Sequence, residues 1–163
     1  MKQKNLWIMC GPPASGKSTF IREFFKNKDS WVVVSRDKIR FALIDANPTN
    51  DYFGNENDVF KQYVRCIKED FAEYDNVIAD ATHLNERSRN KLLNSIGSDF
   101  LANININCIV MMTPVEVCIE RNKNREGLAN VPEGAIRRMA ETFSVPTYNE
   151  KYKYNNIYTV NVL

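Results

Sequence analysis

The amino-acid sequence predicts an α/β fold: a parallel sheet of about five strands with helices on both faces. Three observations carry this. Short apolar, β-branched runs alternate with amphipathic stretches of helical period along the chain. The first such run leads straight into a glycine-rich loop and then a helix. The later runs deliver charged residues at their ends, where ligands collect in open α/β sheets. With 163 residues, 44% hydrophobic and 26% charged, the chain suits a single domain, 1–163, able to bury a sizeable core.

Taken in order, Asn5-Leu6-Trp7-Ile8-Met9-Cys10 is the first buried strand, and Phe20, Ile21, Phe24 and Phe25 mark the helix after it. Trp31-Val32-Val33-Val34 is the second strand, followed by a helix from Asp37 to about Ala46, stopped by Asn47-Pro48. Thr49 to Gly54 is a loop, and Asn55 to Tyr74 is a long amphipathic helix with Phe60, Tyr63, Val64, Ile67 and Phe71 on one face. Asn76-Val77-Ile78-Ala79 forms the third strand and ends on Asp80. A polar helix runs from about Glu86 to Ile96, with Gly97 as its stop, and Ile104 to Met112 is the fourth strand. Thr113-Pro114-Val115-Glu116 opens a helix as cap, first-turn proline and acidic third residue. Arg121 to Gly127 is too polar for core and reads as a mobile basic loop within a lid at about 121–131. Val131-Pro132 starts another helix, to about Thr142, and Ile157 to Val162 alternates like a last strand.

Composition excludes several classes. No apolar run reaches membrane-spanning length and no signal-peptide core follows Met1, so a cytoplasmic protein without membrane contact is expected. The cysteines Cys10, Cys66, Cys108 and Cys118 form no C-x-x-C pair and read as reduced thiols. A net charge of +2 argues against a large non-specific nucleic-acid surface, while allowing a nucleic-acid substrate. His83 is the only histidine, so neither a Ser-His-Asp system nor a histidine metal site can be built.

Gly11-Pro12-Pro13-Ala14-Ser15-Gly16-Lys17-Ser18-Thr19 fits G-x-x-x-x-G-K-[ST], the phosphate-binding loop, or P-loop. Its backbone N–H groups turn inward on an anion, Lys17 reaches the β- and γ-phosphates of ATP, and the Ser18 hydroxyl can ligate Mg²⁺. The strand–loop–helix order aims the positive helix end at the phosphates. Asp80, ending an apolar strand, is placed to support the same Mg²⁺ beside Ser18. Asp37 and Arg40 share one helix face. They read either as an intrahelical ion pair or as a base and an anion clamp for an acceptor. Arg121 and Arg125 are either a solvated charge run or arginines on a closing lid that neutralise a transferring phosphoryl group.

These segments occur in the order and spacing of one family. Gly11 to Thr19, Ser35-Arg36-Asp37-Lys38-Ile39-Arg40, Asp80-Ala81-Thr82-His83-Leu84-Asn85, Arg121-Asn122-Lys123-Asn124-Arg125, and Val131-Pro132 with Met139 together resemble the 5′-kinase domain of the T-even bacteriophage polynucleotide kinase family. The resemblance implies a P-loop kinase with a small basic lid, using ATP and Mg²⁺ on 5′-hydroxyl ends of DNA or RNA. It implies Asp37 as general base on the 5′-hydroxyl and Arg40 on the acceptor's 3′-phosphate. It also implies Arg125 on the donor phosphates and Asp80 supporting the site; Arg121, four residues before Arg125, is a further candidate for binding ATP. His83, which stands where the phage kinase has asparagine, is expected near the acceptor. The chain stops where that kinase domain stops, so no phosphatase half is expected. A small-molecule kinase of the same build is the competing expectation. A motor or switch is disfavoured because Ala81, not glutamate, follows Asp80.

Overall fold

The computed structural model describes residues 2–46 and 54–161. Strands β1 (Lys4–Cys10), β2 (Trp31–Ser35), β3 (Asn76–Asp80), β4 (Ile104–Met111) and β5 (Asn156–Val160) form one sheet in the order β2-β3-β1-β4-β5. Every pairing is parallel. The helices are α1 (Lys17–Phe25), α2 (Arg36–Ala46), α3 (Glu56–Asp70), α4 (Glu86–Ile96), α5 (Ser98–Leu101), α6 (Val115–Asn122) and α7 (Glu133–Glu141). A 3₁₀ turn spans Gly127–Ala129.

Strand alternation divides the core into two layers. Leu6, Ile8 and Cys10 of β1 point to the face covered by α3 and α4, where Tyr63, Ile67, Leu92, Leu93 and Ile96 meet them. Trp7 and Met9 point to the other face, against Ile21 and Phe25 of α1. The sheet thus has helices on both faces, as the alternating pattern predicts. A third small cluster, Cys118, Ile119, Val131 and Ile136, joins α6 to α7.

The boundaries differ from expectation in informative places. The short helix α5 after Gly97 carries no periodic signal, because four residues are barely one turn. Gly97 does stop α4, at φ +100°, a left-handed conformation that disfavours a side chain. Thr113 does not cap α6: the cap position is Pro114, with no side-chain cap bond. The predicted stop at Asn47-Pro48, the loop from Thr49 to Phe53 and Val162 lie outside the described residues. Cys10, Cys108 and Cys118 are buried, Cys66 is half-buried, and all four are free thiols. No helix among the described residues is long and apolar enough to cross a membrane.

Candidate active site

At the carboxyl ends of the central strands lies a cleft of about 560 Å³, within the range of small-ligand pockets. Its floor is the P-loop. Pro13, Ala14, Gly16, Lys17, Ser18 and Thr19 line it, while Ser15 is fully buried beneath. Gly16 takes φ +100° as the loop turns into α1. A Cβ on Gly11 would sit 2.7 Å from Ser15 Oγ and 3.0 Å from Met111 Cβ, so the loop closes only with glycine there. The hydroxyl expected to cap α6 does other work: Thr113 Oγ1 donates to the Ser15 carbonyl at 2.6 Å and pins the loop from below.

This floor fits an anion. The α1 N-terminus has no side-chain cap and no acidic residue in its first turn, so its N–H groups and positive dipole end face the cleft. Ser15 Oγ is buried without a hydrogen-bond partner. Lys17 Nζ donates to the carbonyls of Gly11 and Pro12 at 3.0 and 2.9 Å. Burial lowers the Lys17 pKa, opposed first by the nearby Asp80 and then by Asp37. Burial raises the Asp80 carboxyl, with Lys17 opposing. Ser18 and Asp80 line the same cleft and form an oxygen-only pair suited to Mg²⁺. Among the described residues no group of three or more His, Cys, Asp or Glu could hold a metal alone, so such an ion would share its coordination with phosphates and water.

One wall of the cleft is a charge chain. Asp37 keeps its side chain half-exposed and also pairs with Arg40 Nη1. Glu56, at the start of α3, accepts from Arg40 Nε at 2.5 Å and Nη2 at 3.1 Å, and from Arg36 Nη2 at 3.0 Å. These arginines hold the Glu56 carboxyl below its ordinary range against the opposing effect of burial. Nothing at the sequence level marked Glu56, because it lies far along the chain from Arg40 and only the α2–α3 packing unites them.

Arg121 and Arg125 both line the cleft, but they sit on different supports. Arg121 belongs to α6, not to a loop, which corrects the assignment of 121–127 as a loop. Asn122, expected to be too polar for core, is buried. Its side chain accepts from Val131 N at 3.0 Å and donates to Val131 O at 2.6 Å, tying the end of α6 to the segment before α7. Asn130 then donates to the Arg125 carbonyl at 3.0 Å.

His83 lies apart from the other site residues. It is buried and does not line the cleft. Its Nδ1 is 2.6 Å from the Met9 carbonyl and its Nε2 is 3.2 Å from the Tyr63 hydroxyl. Burial pushes its pKa down to about 4, so the ring is neutral, with Nδ1–H donating and Nε2 accepting. The neighbouring Thr82 carbonyl accepts from Gly11 N at 2.8 Å. His83 therefore ties the loop bearing Asp80 to the root of the P-loop.

Residues 6–146 match the family described as AAA domain. An Arabidopsis thaliana protein named transcription factor bHLH140 is 22% identical over 151 residues, which are 89% of this chain and 15% of that protein. The structure of the Pnkp1/Rnl/Hen1 RNA repair complex contains a chain 24% identical at TM-score 0.64, covering 87% of this chain and 44% of that one. A gluconokinase from Sinorhizobium meliloti 1021 is 15% identical at TM-score 0.56, covering 99% of this chain and 85% of that one. This chain thus spans about a seventh of the length of the first of these and somewhat under half of the second. The resemblance to the two solved structures is one of fold, the α/β P-loop kinase type. Because the family match takes in most of the sequence, P-loop included, the chain belongs to the AAA-domain family.

Proposed function

We propose that this protein is a polynucleotide 5′-hydroxyl kinase, transferring the γ-phosphate of ATP to the 5′-hydroxyl end of DNA or RNA. The observation that carries the reading is the half-exposed Asp37 carboxylate, set in one cleft with the P-loop on its donor side and an arginine on its acceptor side. A carboxylate there can orient an acceptor hydroxyl and accept its proton as the O–P bond forms. Lys17 and the lid arginines Arg121 and Arg125 would hold the donor phosphates and meet the charge that spreads over them. Ser18 and Asp80 would hold Mg²⁺, which when bound offsets negative charge on the phosphate oxygens. The resemblance over the segments around Asp37, Asp80 and Arg125 supports the acceptor assignment. So does fold likeness to a chain of an RNA repair complex.

One observation favours a second reading. Glu56 occupies the Nε and Nη2 edge of Arg40, the planar fork that a 3′-phosphate would use. An acceptor phosphate would have to displace that carboxylate, whereas a small-molecule hydroxyl would not. The deciding experiment offers labelled ATP with an oligonucleotide, a nucleoside 3′-monophosphate, a nucleoside, gluconate and water. Transfer to the oligonucleotide, with kcat/KM much higher for the 3′-monophosphate than for the nucleoside, supports the polynucleotide kinase. A ratio near one, or transfer to gluconate alone, supports the small-molecule kinase. In Asp37→Asn the rate should fall about 10²–10⁴-fold at unchanged ATP affinity. A loss of ATP affinity without a loss of rate at saturation would move Asp37 to the donor site.

A further inference from the structure

The α3–α4 face carries a row of three lysines, Lys91, Lys151 and Lys68. At its cleft end the Arg36 guanidinium, already paired with Glu56, lies 5.4 Å from the Phe60 ring centroid. Lys91 of α4 approaches the same ring at 4.6 Å. One turn further along α4, Asn94 Oδ1 accepts from Lys151 Nζ at 2.9 Å and from the Tyr152 hydroxyl. Lys68, towards the far end of α3, lies 5.2 Å from the Phe100 ring. Lys68, Phe100, Lys151 and Tyr152 line one open groove, in which Asp99 is the single acid among the described residues.

These lysines rest on rings and an amide. Arg65 on the same helix instead lies 3.8 Å from Glu69, the ordinary arrangement for a surface cation. Among the described residues none of Lys68, Lys91 and Lys151 has a carboxylate within 4.0 Å. Three lysines without a carboxylate partner, beside the exposed Phe100 ring and the half-buried Tyr152 ring, ask for an extended polyanion with flat faces. Single-stranded nucleic acid supplies phosphates for the lysines and bases to stack on Phe100 and Tyr152. An acidic peptide supplies the charge without the faces. From Phe60 to Lys68 the helix rises about 12 Å, room for about three to four stacked nucleotides at about 3.4 Å each.

We propose that this groove, with the adjoining hollow of α4 that holds Lys91 and Glu86 and shares Asn94 with it, carries the acceptor's single strand beyond its 5′-terminal nucleotide, using Lys91 and Lys151 as phosphate contacts and Tyr152 and Phe100 as stacking surfaces. The proposal rests on the polynucleotide-kinase reading, and its test includes a measurement that needs no catalysis. Binding of a labelled 5′-hydroxyl oligonucleotide of about 12 nucleotides is followed by anisotropy, for wild type and the exposed double variant Lys91→Ala/Lys151→Ala. Affinity should fall about tenfold, and the slope of log K against log salt should shrink by about 1.4, from two lost contacts at about 0.7 each. In parallel, kcat/KM for the oligonucleotide should fall while that for a nucleoside 3′-monophosphate, too short to enter the groove, stays within about twofold. No wild-type binding, an unchanged affinity, or an equal loss on both acceptors would overturn the groove. Polyglutamate bound as tightly as the oligonucleotide would overturn its nucleic-acid occupant. Binding that weakens in the variant, without transfer to any nucleic acid, would keep the groove and remove the kinase reading.

Discussion

Two polar clusters lie on either side of the Asp80–Asn85 loop, built from the same residue types and differing in whether their hydrogen bonds are closed. Behind it, Arg89 is fully buried with each of its nitrogens engaged: Nε and Nη2 donate to Glu150 at 3.1 and 2.9 Å, and Nη1 donates to the His83 and Ser144 carbonyls, both at 3.1 Å. Tyr154 completes the Glu150 carboxylate at 2.9 Å. In front, the cleft leaves Asp37 half-exposed, crowds Lys17, Asp80, Arg121 and Arg125 around open space, and keeps Ser15 Oγ unpartnered. A closed network fixes chain position, here tying the 144–154 segment to the loop that carries Asp80. An open one has bonding capacity left for a ligand. Charge by itself separates the two poorly; completeness of the bonding does so well.

The largest expected effect breaks the open side alone. On the proposed reading Lys17→Ala deletes the ammonium that would meet the donor phosphates, so transfer should drop by on the order of 10³-fold or more. Its thermal midpoint should stay close to wild type, because the side chain contributes little to either core layer. Wild-type-like turnover in that variant would remove the phosphate-loop reading altogether. Breaking the closed side should do the opposite. Arg89→Ala leaves the Glu150 carboxylate buried without its partner, a loss of about 3–5 kcal/mol. Thermal unfolding should then move down by roughly 10 °C or more. A small shift in midpoint would mean that the pair is not holding the carboxyl-terminal segment.

A smaller effect sharpens the boundary between the clusters. Folding holds His83 neutral with a pKa of about 4, against 6.5 when unfolded. The unfolded chain therefore binds a proton that the folded protein refuses. This contribution to stability is whole above about pH 6.5 and is lost as pH falls towards 4, by up to about 3 kcal/mol. Chemical denaturation at pH 7 and at pH 4.5 measures it. In His83→Asn, which cannot titrate there, the difference between the two pH values should narrow. An identical acid slope in wild type and variant would place the ring in solvent.

The sheet was legible from sequence because its signals are local. Apolar runs, helical period and the spacing of Gly11, Gly16, Lys17 and Ser18 each depend on neighbours a few residues away. Strand order was not legible in the same sense, because pairing Asn5 with both Asn76 and Asn105 depends on which surfaces bury each other. At the site, the sequence determined which residues end a strand or open the helix after it and therefore reach the cleft: Asp80 in the first way, Lys17 and Asp37 in the second. Only the tertiary structure decided their partners. Glu56 came to Arg40 through the packing of α3 on α2, and Thr113 left its expected cap to hold Ser15. His83 turned inward because the Met9 carbonyl and the Tyr63 hydroxyl, both distant in sequence, offered a buried ring its two hydrogen bonds. A lone polar residue carries no periodicity, and whether it faces ligand or core depends on groups that only folding brings within 3 Å or so of it.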